Sequence, residues 1–296
     1  MISAQLISSL LAGIAYGLTL SLIAAGLSLI YGVMKIVNTS HGAFYILGGF
    51  FCFSFISFFH LPLFVSILLT ATVTFVIAAG VVYYVLPANL RVTVDPDGQN
   101  TVMITFMALA TIVEYLLLFT FGGSSVAVPS ILPGSIEIFP GVFIVNQLLL
   151  VSIVSLFIYL ALYLFLKYTR LGRGIYAFAQ NKELAEALGL SGGFLACVTF
   201  GIGCTFASTS GALLASVFSI NSSAGWSVLP LAFVIVTLGG IGNIFGSLAG
   251  GLIFGIVYSV GLFFIQAYSI VMVLLVMYGI LLIKPTGLLG GLVERV

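Results

Sequence analysis

Three groups of side chains in this sequence have the chemistry to bind or move something. The first is Asn38, Thr39, Ser40, His41 and Gly42, an unbroken polar run between two long apolar stretches, followed by Ala43, Phe44 and Tyr45. Amide, hydroxyl and imidazole groups in such a place need hydrogen-bond partners. A capped turn at the end of a span would supply them, because Asn, Thr and Ser oxygens accept from the free amides of a first helical turn. A broken helix beside a water-filled path would supply them too, since non-helical backbone survives at membrane depth only within protein or beside such a cavity. The second setting makes Asn38, Ser40, His41, Gly42 and Tyr45 candidates for a translocation path or gate. His41 would act there as a hydrogen-bond donor and acceptor, because neither an acid nor a metal partner accompanies it.

Glu114 is the second feature, a carboxylate within an otherwise apolar run. An ionisable side chain at the bilayer centre costs on the order of 3 kcal/mol on insertion scales, so it faces a bundle interior or a path. No basic residue sits at matching depth to pair with it. A hydrogen-bonded structural carboxylate and a member of the path both fit, and taken alone Glu114 would suit a proton- or ion-coupled secondary transporter or channel.

The third is the segment 167–193, the one charge-rich stretch of the chain. Asn181 is placed to cap a short helix, Glu183 to meet the positive end of its dipole, and Gly189 to close it in the left-handed conformation. Lys182, Glu183 and Glu186 share one arc of that helix, and Leu184, Ala185 and Leu188 another. Such an amphipathic helix either lies at the membrane surface or docks its apolar face on a cytoplasmic partner.

These groups are set in an extremely apolar chain. Of 296 residues, 62% are hydrophobic and 5% charged, against roughly a quarter charged in soluble proteins. No charged residue occurs between Glu186 and Lys284. A span needs about 20 apolar residues, and the long continuous runs select helices over barrel strands. Apolar segments at 5–34, 43–59, 61–86, 101–121, 142–166, 194–220, 228–241, 246–265 and 268–283 predict an all-α, polytopic transmembrane bundle of eight to nine spans. The 228–241 stretch is short enough to be a half-helix. The whole of 1–296 reads as one lipid-embedded domain, with its first apolar stretch a retained span rather than a cleaved signal.

Threading the chain through these spans places all eight basic residues, among them Lys35, Arg91, Arg173 and Arg295, on one side. That side is cytoplasmic by the positive-inside rule, with the C-terminus inside and the N-terminus outside. The 91–100 connector then forms a cytoplasmic turn. The loop carrying Glu137 and a short loop around Trp226 fall outside, the indole at headgroup level. Glycines four apart predict close helix packing: Gly13 with Gly17, then Gly242, Gly246 and Gly250, then Gly251 with Gly255.

The only histidines, His41 and His60, have no paired carboxylates around them, and no Asp-rich metal motif, nucleophile turn or phosphate loop is present, which argues against catalysis by this chain. Cys52, Cys197 and Cys204 lie in apolar segments without metal-ligand spacing and read as small core residues. Nothing points to nucleic acid.

Four motifs in order resemble one family. Tyr31-Gly32-Val33 with Ile36 to Tyr45 resembles the segment around the N-F-A-H-G-E-F/Y motif of the branched-chain amino acid ABC permeases. Tyr168 to Arg173, Ala179-Gln180-Asn181 and Ala185 with Ala187 to Leu190 are similar to that family's cytoplasmic coupling segment. Leu238 to Gly246 looks like its L-G-G-x-G-S-I-x-G motif, and Lys284 to Gly290 like its terminal P-x-G-x-x-G. The resemblance implies a prokaryotic inner-membrane permease with a fold similar to type II ABC importer permeases and no cofactor of its own. It implies as partners a second permease, two cytoplasmic ATP-binding subunits and an extracytoplasmic solute-binding protein, with Arg173, Asn181, Glu183, Ala185, Leu188 and Gly189 in the contact with the ATPases. Three departures bear on the solute: Ala43 where the family usually has Glu, Thr39-Ser40 for Phe-Ala, and Pro230 where Lys is common. The 91–100 connector also lacks the usual Arg-Pro. Branched-chain amino acids are the default solutes, with urea, short amides or other small solutes handled by related systems.

Overall fold

The computed structural model describes residues 2–86 and 96–290, so Arg91 and Arg295 lie outside the described residues. In chain order the elements are α1 (Ile2–Met34), α2 (His41–Ser57), α3 (Leu63–Val85), α4 (Pro96–Phe121), β1 (Ser135–Phe139), β2 (Val142–Val145), α5 (Asn146–Tyr168), α6 (Arg170–Gln180) and α7 (Lys182–Ala187). They continue with α8 (Gly192–Leu214), α9 (Ala224–Gly239), α10 (Ile244–Phe264) and α11 (Ser269–Ile283). Among the described residues, seven helices are long and apolar enough to cross a membrane, namely α1, α3, α4, α5, α8, α10, and α11 with the short turn before it. The expected eight or nine crossings thus resolve into seven full spans and two half-length helices, α2 with 17 residues and α9 with 16. The second of these is the half-helix expected around Val228.

One stretch departs from helix. Residues 142–145, read above as the start of a span, instead pair with β1 in an antiparallel hairpin. The Val-Phe-Ile-Val run has the β-branched and aromatic character of a strand. Its buried residues, Val142 and Ile144, alternate with exposed Phe143 and Val145, and Phe143 N–H donates to Ser8 Oγ at 2.9 Å, fastening the hairpin to the first turns of α1.

Helix α1 is the axis of the bundle, buried without interruption from Thr19 to Ile30. Small residues let its neighbours approach to backbone contact, the packing available where lipid removes any hydrophobic drive between helices. A Cβ on Gly13 would lie 2.4 Å from the Gly255 carbonyl oxygen, one on Gly17 would lie 2.2 Å from that of Gly251, and one on Gly26 would lie 2.2 Å from that of Gly203. The two glycine pairs expected to pack therefore pack on each other. Gly246 and Gly250 meet α9 at Gly239 and Ile235. Gly242 lies before α10, in the turn from α9, with φ +83°, and so contributes a left-handed backbone rather than a helix face.

These contacts fix direction. Gly13 with Gly255 and Gly32 with Gly242 make α10 antiparallel to α1. Gly26 with Gly203 and the Ser210 Oγ bond to Thr19 O make α8 antiparallel to it as well. Phe143 at Ser8 and Tyr159 at Ser21 make α5 parallel to α1. The ends of α1 and α5, the α9–α10 turn and the segment after α11 consequently share one end of the bundle, where Lys35, Lys167 and Lys284 stand. The hairpin marks the other.

The helices also repeat in inverted order. A long span, a break, a half-helix and two further helices make up α1 to α4 and again α8 to α11. Within the first set α2 packs on α3 and α4, and within the second α9 packs on α10 and α11. Between the sets α1 lies along α10, and α3 lies along α8. Because α1 and α8 run in opposite directions, the second set is turned over relative to the first, the arrangement of inverted-topology membrane repeats.

Candidate functional site at the meeting of two helix breaks

After α1 ends at Met34, residues 35–40 carry the chain back along it, and α2 begins at His41. His41 Nε2 lies 2.9 Å from the carbonyl oxygen of Ile23, eleven residues before the end of α1. That is about 16 Å of helix, about half the thickness of a hydrocarbon layer of about 30 Å. The carbonyl only accepts, so Nε2 carries the hydrogen and Nδ1 accepts from Asn38 Nδ2 at 3.3 Å. Asn38 Oδ1 in turn accepts from Ser40 N–H at 3.0 Å and Ser40 Oγ at 2.7 Å, while its Nδ2 also donates to Cys204 Sγ at 3.5 Å. Asn38, Ser40 and His41 are completely buried. The run is a closed polar knot inside the bundle, not a capped surface turn. Ser40 stands at the N-cap position yet caps nothing with its side chain, because its hydroxyl is committed to Asn38.

A second break mirrors the first. Asn221-Ser222-Ser223-Ala224-Gly225 repeats the pattern of Asn38-Thr39-Ser40-His41-Gly42. Its bonds repeat too: Ser223 Oγ to Asn221 Oδ1 at 3.1 Å, Ala224 N to Asn221 O at 3.2 Å and Trp226 N to Ser223 O at 3.1 Å. The matching bonds at the first break are Ser40 Oγ to Asn38 Oδ1, His41 N to Asn38 O at 3.4 Å and Ala43 N to Ser40 O at 2.9 Å. From here α9 runs to the basic end, where Leu238 O accepts from Leu288 N. Helix α2 runs toward the hairpin end, where Phe50 and Phe53 meet Phe121. The two first turns touch: a Cβ on Gly42 would lie 2.3 Å from the Gly225 carbonyl oxygen.

Glu114 of α4 joins this point. Trp226 Nε1 donates to its Oε2 at 2.5 Å, so the partner of the intramembrane carboxylate is an indole N–H rather than a cation. The expected position of Trp226 in a surface loop is thereby corrected. It belongs to the first turn of α9, because the polar run before it opens a half-helix at depth. Pro230, four residues on, has no N–H for the Trp226 carbonyl. A cavity of about 10 Å³, room for one water, lies between Thr39, Gly42, Glu114, Gly225 and Trp226. Ala43, where the resemblance expects Glu, lines it as well.

The structure therefore gathers five of the six expected path residues, with Gly42 and Glu114 at the cavity and Asn38, Ser40 and His41 in the knot beside it. Tyr45 falls outside. It is buried one turn further along α2, its carbonyl 1.9 Å from where a Cβ on Gly211 would stand. Sequence reasoning missed Gly225, the Ile23 carbonyl and the Glu114–Trp226 bond. The doubled Asn-x-Ser-x-Gly pattern was the signal for the second break.

At the basic end, the 167–193 segment forms two helices. Thr169 caps α6 by accepting from Gly172 N at 2.9 Å, and α6 buries Gly172, Gly174, Ile175 and Phe178 while Arg173 and Tyr176 face out. Asn181 caps α7 as expected, Oδ1 accepting from Leu184 N at 2.9 Å, and Glu183 occupies its first turn. Gly189, with φ +88°, closes it through the paired bonds Leu190 N to Ala185 O and Gly189 N to Glu186 O, a Schellman motif. The expected apolar arc splits. Ala185 is buried, whereas Leu184 and Leu188, one turn apart, are 59% and 76% exposed.

Comparison with known proteins agrees with this architecture. A family model described as the permease component of branched-chain amino acid transport systems matches residues 9–283. The high-affinity branched-chain amino acid transport system permease protein LivH of Salmonella typhimurium is 29% identical, covering 94% of this chain and 93% of its own. The corresponding protein BraD of Pseudomonas aeruginosa is 28% identical over 96% and 95% of the two chains. A probable branched-chain amino acid transport permease protein LivH of Methanocaldococcus jannaschii is 25% identical over 94% and 90%. No solved structure matches the chain. With nearly its whole length matched, this multi-pass membrane protein belongs to the permease-component family of branched-chain amino acid transport systems.

Proposed function

We propose that this chain is one membrane permease domain of a prokaryotic ATP-driven importer, moving branched-chain amino acids or a related small solute across the inner membrane. In this reading it pairs with a second permease. Two ATP-binding subunits engage its basic, cytoplasmic end, and a solute-binding protein delivers solute to the hairpin end, which carries the N-terminus. The translocation path passes the meeting point of α2 and α9.

The observation that carries this reading is α7. A charged helix held by a side-chain cap at one end and a Schellman turn at the other projects Leu184 and Leu188 away from the bundle. An apolar pair on a rigid, exposed, non-spanning helix fits a groove on a partner protein. Replacing Leu188 with Asp puts an unpaired charge into that groove. In the reconstituted complex, Leu188→Asp is expected to lower solute uptake per ATP hydrolysed by at least about tenfold, the effect of ~1.4 kcal/mol. Wild-type coupling in that variant would remove α7 from the ATPase contact. Uptake driven by an ion gradient without ATP would instead support a secondary transporter centred on Glu114.

A further inference from the structure

Glu114 lies within a described membrane-spanning helix, and its chemistry is only partly used. A carboxylate offers about four acceptor sites, and one is taken, by the Trp226 indole. Glu114 is half-buried and Trp226 is 39% exposed, so the pair opens to the outside of the chain. The cavity they line, about 10 Å³, has the size of one water, which is also the size of an ammonium head. Thr39 lines the same space. Its hydroxyl hydrogen goes to the Met103 carbonyl at 3.0 Å, leaving the oxygen's lone pairs to accept. The two oxygen-bearing side chains lining the cavity, Glu114 and Thr39, thus have acceptor capacity, the indole N–H is spent on Glu114, and the indole face is the wall that best tolerates a cation.

We propose that Glu114, Trp226 and Thr39 form a site for the primary ammonium group of the transported solute. The inference rests on the transport reading above and narrows it, because amino acids carry such a group whereas urea and amides do not. The first turns of α2 and α9 also border the cavity, and their dipoles partly offset the carboxylate. Occupancy is accordingly weak and brief, as a path requires if solute is to leave as well as enter. Glu114 touches the solute in this assignment, and Trp226 orients Glu114 while walling the site.

Trp226 is the single tryptophan of the chain, so its emission reports the site directly. The purified full chain in detergent micelles would be titrated with 3-methylbutylamine, which carries the ammonium group, and with 4-methylpentanoate, which carries a carboxylate instead. A saturable emission change with the amine and none with the carboxylate is expected, with the amine response weakened at least about tenfold in Glu114→Gln and partly kept in Glu114→Asp. No saturable response, an equal response to 4-methylpentanoate, or an unchanged Glu114→Gln would overturn the site. Should Glu114→Gln fail to give monodisperse protein, the wild-type contrast between amine and carboxylate still decides. ATP-driven leucine uptake by the reconstituted complex is measured in parallel. Uptake without an amine response refutes the ammonium site alone, and an amine response without ATP-driven uptake refutes the transport reading alone.

Discussion

The breaks at Asn38–Gly42 and Asn221–Gly225 share a residue pattern and three hydrogen bonds, yet one is sealed and the other is open. At the first, Asn38, Ser40 and His41 are wholly buried. At the second, Asn221 and Ser223 are exposed and Ala224 is half-buried. The difference traces to the position held by His41 and Ala224. An imidazole reaches the Ile23 carbonyl and locks the first break onto α1, whereas a methyl group has nothing to reach with. A common backbone device, an Asn-bonded turn that starts a half-helix at depth, thus serves in one copy as an anchor. In the other it leaves a side chain, Trp226, free to face Glu114.

The largest effect expected from breaking this contrast is at the anchor. Asn38→Ala strands the Ser40 N–H and hydroxyl and the His41 Nδ1, all buried, at a cost of roughly 3 kcal/mol given ~1–3 kcal/mol per orphaned group. A surface cap would lose only about 1 kcal/mol. Unfolding in detergent measures the loss, and uptake should fall with it. Gly225→Ala comes next. Its Cβ would sit 2.7 Å from the Gly42 carbonyl oxygen, and since backbone cannot rotate aside, about 2 kcal/mol of overpacking is expected. Asn221→Ala should be smallest, under about 0.5 kcal/mol, as for exposed positions generally. Equal losses from Asn38→Ala and Asn221→Ala would erase the distinction between anchor and open break.

Much of this was legible beforehand, for identifiable reasons. Long apolar runs specify spans because lipid leaves the backbone no other partner, and the glycine pairs at 13 and 17 and at 251 and 255 marked a real contact. The cap at Asn181 and the closure at Gly189 followed from local chemistry alone. Depth was not legible. The run ending in Trp226 looks like a surface loop because Trp favours headgroups, and only the tertiary approach of α4 shows it facing Glu114. Helix α6 was hidden because Gly172 and Gly174, poor helix formers, occupy its buried face. The strand at 142–145 was hidden because a short apolar run continues into α5 without a turn signal.

The central claim is that the two half-helices meet beside a path for solute. Thr39 lines the cavity between them and tests it directly. In a complex with Cys52 and Cys197 replaced by Ala and Cys204 by Ser, which keeps an acceptor for Asn38, Thr39→Cys would be exposed to a membrane-impermeant thiol reagent with nucleotide absent and with ATP trapped. The account expects modification in at least one state and a rate difference between the two of at least about tenfold, ~1.4 kcal/mol in the accessibility equilibrium. A cysteine at position 39 that stays unmodified in both states, while the complex still imports solute, would contradict it.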